Sequence, residues 1–126
     1  MSAIILVVDE DPDTRLILRA LLERDRFAVM EAASAIAAQE LIVRENVDLV
    51  ILNHPMPLDG RMTLTAWLRT EPSTQAVPII NLTSRVIPAF LEEARELGVA
   101  ATMTKPLDIS RLLELVRQHT ASAVAH

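Results

Sequence analysis

Five short runs of branched apolar residues, each followed by an amphipathic stretch, constrain this chain more than any other feature. The runs are Ile4–Val8, Phe27–Glu31, Asp48–Leu52, Val77–Leu82 and Ala100–Thr104. Such an alternation predicts parallel strands joined by helical crossovers. The first, third and fourth runs are almost unbrokenly apolar, which fits strands covered by helices on both faces.

The stretches between them carry helix signals. Asp13–Arg24 puts Ile17, Leu18, Leu21 and Leu22 on one stripe, and Ala35–Val43 follows Ser34, a good N-cap. Gly60–Arg69 makes a third helix, ended before Pro72. Ile87–Leu97 makes a fourth, with Pro88 in its first turn and Gly98 just past its end. The fifth begins after Asp108, with Ile109, Leu112, Leu113 and Val116 at helical spacing. The expected fold is α/β, a (βα)5 doubly wound parallel sheet of order 2-1-3-4-5, because crossovers are right-handed and helices must cover both faces. An eight-unit barrel needs about twice this length.

With 126 residues the chain is expected to form one domain over 1–120, leaving 121–126 as a frayed tail or the start of a linker. Seventeen acids against 12 Lys and Arg give a net charge of −5, which argues against direct nucleic-acid binding and against an anionic membrane surface. The chain has no Cys, so neither disulfides nor Cys-ligated metals are available. Ile4–Val8 is too short for a membrane span and lacks the basic leader of a signal peptide. A cytoplasmic protein is expected.

In open sheets of this kind, ligands sit beyond the carboxyl ends of the strands. There the sequence places Asp9, Glu10 and Asp11, then Asn53, His54 and Pro55, then Thr83 and Ser84, and last Lys105 and Pro106. Adjacent acids repel unless something neutralises them. Asp9 and Glu10 read either as ligands of a hard cation such as Mg²⁺ or as solvated loop acids, whereas Asp11 and Asp13 read as caps of the first helix. Lys105 and Thr83 have ordinary readings too, as a surface cation and a strand end; taken with the acids, they form the set that stabilises a transferring phosphoryl group. His54 reads as a solvated rim residue, Asn81 as a buried amide with its hydrogen bonds satisfied, and Trp67 as packing. Met56 and Pro57 shape a loop.

These segments, Ile5 to Asp11, Asp48 to Gly60, Pro78 to Ser84 and Gly98 to Pro106, resemble the receiver domain of two-component response regulators, a flavodoxin-like fold. In that family a sensor histidine kinase passes a phosphoryl group to an Asp after the third strand, with Mg²⁺ assisting. The resemblance carries Asp9, Glu10 and the Pro55 backbone carbonyl over as metal ligands, and Thr83, Ser84 and Lys105 as the phosphate pocket. It implies a cis Lys105–Pro106 bond and makes Thr83 and Thr102 the switch positions. Partners implied are a histidine kinase or another signalling protein, and an output domain or a second copy through helix 4, strand 5 and helix 5, with Ile87, Phe90 and Leu115 on that face.

Two positions depart from the pattern in ways that change the chemistry. Asn53 stands at the acceptor position, and an amide, its nitrogen lone pair delocalised and its oxygen uncharged, is a poor nucleophile for phosphorus. The pocket also loses an anionic ligand, so Mg²⁺ is expected to bind weakly. Thr102 stands where the family carries its switching aromatic. Glu10 is a milder change, since the second acid is usually Asp. An atypical, non-enzymatic receiver is therefore expected; an ordinary phosphoaspartate receiver carrying an Asp→Asn change at 53 is the alternative. A haloacid-dehalogenase phosphatase shares the Asp, Lys and Mg²⁺ chemistry, but Asp13 stands where its motif needs Thr or Val.

Overall fold

A computed structural model describes residues 2–124, with side chains through Ala121. Five strands, β1 (Ile4–Val8), β2 (Ala28–Ala32), β3 (Leu49–Asn53), β4 (Ile79–Thr83) and β5 (Ala101–Thr104), alternate with five helices. The helices are α1 (Pro12–Arg24), α2 (Ala35–Ile42), α3 (Leu64–Thr70), α4 (Pro88–Glu96) and α5 (Ile109–Val124). The strands form one parallel sheet in the expected order β2-β1-β3-β4-β5.

Strand side chains alternate between faces, and that alternation divides the core in two. Ile5, Val7, Leu49, Ile51, Ile80 and Leu82 pack on one face against Leu18 and Leu22 of α1 and Leu112 and Val116 of α5. Leu6, Val8, Val50, Leu52 and Ile79 pack on the other, against Ala38 and Ile42 of α2 and Leu64 and Leu68 of α3. Continuing the alternation, Asp9, Asn53 and Lys105 fall on the α1/α5 face at the carboxyl edge. Thr83, Asn81 and Thr102 fall on the other. Register fixes the level of each: Val8 lies beside Leu52, Asn53 beside Leu82, and Thr83 beside Thr104.

Helix ends follow local chemistry. Asp11 caps α1, its carboxylate accepting from the Asp13 N–H and the Thr14 hydroxyl, and Ser34 and Thr63 cap α2 and α3 in the same way. Only two of the four apolar residues on the α1 stripe, Leu18 and Leu22, are buried; Ile17 is exposed. α3 starts at Leu64, four residues later than the sequence suggests. The Asp59 carboxylate draws the Arg61 and Met62 N–H groups into a turn, and a helix can begin only after it. α5 runs on to Val124. The Thr120 side chain is buried, and its hydroxyl donates to the Val116 carbonyl. Residues 125–126 lie outside the described residues. The peptide bonds before Pro55 and Pro106 are both cis, the second as expected. No described helix is long and apolar enough to cross a membrane.

Candidate functional site

Asp9, Asn53 and Lys105 come from three strands and meet at one point. The Lys105 ammonium lies 3.4 Å from a carboxylate oxygen of Asp9 and 3.4 Å from the amide oxygen of Asn53. Both distances are at the long end for hydrogen bonds, so one cation is shared between two acceptors. Asp9 is 2% exposed, and its other carboxylate oxygen accepts from the Asp11 N–H at 2.9 Å. The Asp9 carbonyl is gripped by Arg15, whose guanidinium also pairs with Glu31 of β2. Both carboxylate oxygens of Asp9 are thus engaged within the chain.

The remaining sequence-derived residues lie outside that three-residue contact. Asn53, Pro55, Thr83 and Ser84 line a cleft of about 360 Å³, together with His54, Arg85, Ile87 and Phe90. The Thr83 hydroxyl is occupied locally, donating to the Arg85 carbonyl at 2.8 Å and accepting from the Arg85 N–H. Thr83 leaves the sheet on the face opposite Asn53, although both border this cleft. Glu10 is exposed and borders a separate hollow with Ser34, Met56 and Pro57. Thr102 is half-buried beside Asn81 on β5.

Three sequence expectations need correction. His54 is not a solvated rim residue: it is 3% exposed, because its N–H still bonds the Leu82 carbonyl and so keeps the strand alternation one residue beyond β3. Its ring meets the edge of Phe90 at 5.4 Å and 85°, and neither ring nitrogen has a partner. Burial holds its pKa below the ordinary value, opposed in part by the Glu93 carboxylate. Asn81 is only half satisfied: its oxygen accepts from Thr65 at 3.5 Å, but its amide nitrogen has no partner. Leu115 is 5% exposed and belongs to the core, so it cannot serve as a surface contact.

A model of the response regulator receiver domain matches residues 5–117. The chain belongs to the response regulator receiver family. This receiver is 36% identical over 115 residues, 91% of its length and 88% of the relative's, to an uncharacterized 14.6 kDa protein in the sodA1 3' region of Leptolyngbya boryana. It is 21% identical over 98% of its length to the whole of the polar-differentiation response regulator DivK of Brucella ovis. Among solved structures, the chemotaxis response regulator CheY4 of Vibrio cholerae superposes with a TM-score of 0.82 at 23% identity, covering 94% of this chain and 99% of that one. That likeness concerns the fold.

Receiver domains typically bind Mg²⁺. Magnesium wants near-octahedral oxygen ligands with one or two carboxylates. Here Asp9 is already engaged by Lys105 and Asp11, Glu10 faces another hollow, and residue 53 is uncharged. Among the described residues no group of three His, Asp or Glu side chains converges as a metal site. The donor set does not fit a tightly held resident ion.

Proposed function

We propose that this receiver is a signalling and protein-interaction module whose conformation is set by something other than aspartyl phosphorylation. The observation carrying this reading is the contact of Lys105 with the amide of Asn53, at the point where a phosphoryl acceptor needs a carboxylate. An amide there accepts a hydrogen bond from the lysine but does not attack phosphorus. The protein is on this reading not an enzyme. Mg²⁺ binds weakly, with Asp9, Glu10 and the Pro55 carbonyl as its ligands and no anionic ligand at position 53. Its partner is a histidine kinase or another cytoplasmic signalling protein.

The completeness of the remaining set, Asp9, Thr83, Ser84 and Lys105, favours a second reading: an ordinary phosphoaspartate receiver bearing an Asp→Asn change at 53. One experiment addresses both. After incubation with acetyl phosphate and Mg²⁺, intact mass should show no phosphoryl group on the chain. Asn53→Asp should gain one if the surrounding set still works, as the second reading requires. A phosphoryl group attached at Asn53 itself would overturn the first.

A further inference from the structure

The cleft beside Asn53 also supplies a mechanical connection to α4, and this inference rests on reading Asn53 as the centre of a regulatory site. We propose that a change at residue 53 reaches α4 through His54 and Phe90, and not through position 102. Thr102 carries no ring, and it is in register with Asn81 inside the sheet. A threonine has too little surface to drive a helix by swinging in or out.

His54 is placed for that role. It is covalently next to Asn53, its backbone is anchored to Leu82 at 2.7 Å, and its ring lies on the opposite face, against Phe90 of α4. No hydrogen bond fixes either ring nitrogen, so shape alone holds the imidazole. A rotation of residue 53 about the strand therefore appears at Phe90 as a displacement of a packed ring. Dense interiors pass such displacements on rather than absorbing them.

The start of α4 is suited to respond. Its N-cap, Ile87, makes no side-chain capping bond, so the first turn is held by packing in the cleft that Asn53 also lines. One turn further on, the Glu93 carboxylate accepts from the Thr63 hydroxyl at 3.2 Å, and Thr63 caps α3. Phe90 and Glu93 both tie α4 to the segment following β3, the first through the His54 ring and the second through Thr63. Moving the first changes the load on the second, and α3 with it.

Amide chemical shifts of the full chain test this. Asn53→Asp is the perturbation, and its effect on the amides of Leu91 to Glu96 is measured in three backgrounds: native, Phe90→Ala and Thr102→Ala. The expected result is a set of α4 shifts in the native and Thr102→Ala backgrounds, cut by about half or more in Phe90→Ala, since coupled residues are not additive. Lys105→Met perturbs the other end of the hydrogen bond, and Phe90→Leu replaces the alanine variant should that fail to fold; each should repeat the pattern. Shifts that survive loss of the Phe90 ring, that disappear in Thr102→Ala, or that never reach α4 would each overturn the proposal. No phosphorylation is involved, so phosphoryl uptake by the native chain would defeat the functional reading while leaving this result to stand or fall separately.

Discussion

Lys105 holds Asn53 and Asp9 at equal distance, 3.4 Å from each, and so serves a buried carboxylate and a neutral amide with one charge. The arrangement neutralises the acidic corner from within the chain. A pocket of this kind has less need of an external cation than one with two or three free carboxylates.

Lys105→Met should therefore cost stability. It leaves the Asp9 carboxylate buried with only the Asp11 N–H, and the loss of a partner to a buried charged group is worth about 1–3 kcal/mol. Urea denaturation of the two proteins measures the difference. An unchanged midpoint would show that Asp9 does not depend on the lysine.

Arg69 is the second charged side chain on which the fold depends. Half-buried on α3, it donates to the carbonyls of Leu97 and Val77 at 2.7 Å and to those of Thr74 and Gly98 at 3.2 Å, and burial lowers its pKa. It closes the α3–β4 and α4–β5 connections together. Arg69→Met should lose about 2–3 kcal/mol, because hydrogen bonds to a charged group contribute more than neutral ones. Hydrogen exchange should show the loss as earlier opening of residues 74–77 and 97–98.

His54→Leu should act in the opposite direction. The imidazole buries two nitrogens without partners, and replacing such a group by an apolar one of similar size removes an uncompensated desolvation cost. Thermal unfolding at neutral pH should show a stability equal to the native value or higher by up to about 1 kcal/mol. A clear loss would mean that the ring has a hydrogen-bonded role.

Asp25 and Arg117 provide a pH test. The guanidinium donates to both carboxylate oxygens, at 2.7 and 2.9 Å, joining the end of α1 to α5 and holding the Asp25 carboxyl below its ordinary pKa. A lowered folded-state pKa means that this stabilisation is present above the unfolded value, 3.8, and is lost as pH falls through the folded value. Asp25→Asn should remove that part of the acid dependence while leaving the rest. An identical stability profile from pH 5 downward would show the pair to be idle.

What could be read in advance followed from period and position. Unbroken runs such as Ile4–Val8 fix buried central strands, and strand parity places Asp9, Asn53 and Lys105 on one face. His54 was harder because its burial depends on a main-chain bond to Leu82 that extends the sheet beyond the apolar run, and nothing in the local composition marks it. The late start of α3 follows from the Asp59 turn, a signal the sequence does contain in Asp59-Gly60. Arg69 gave no signal, since its partners are backbone carbonyls far along the chain, and a carbonyl has no side-chain identity to read. Leu115 is assigned to the output face by the family resemblance alone, whereas helical spacing sets it beside Leu112 and Val116 on the buried stripe.

An uncharged residue occupies the place where this crevice needs an anion, and a Mg²⁺ titration followed by amide chemical shifts reads out the consequence. Asn53→Asp should bind Mg²⁺ at least about tenfold more tightly than the native chain, because a hard cation gains a carboxylate ligand. Near-equal affinities for the two proteins would contradict the account.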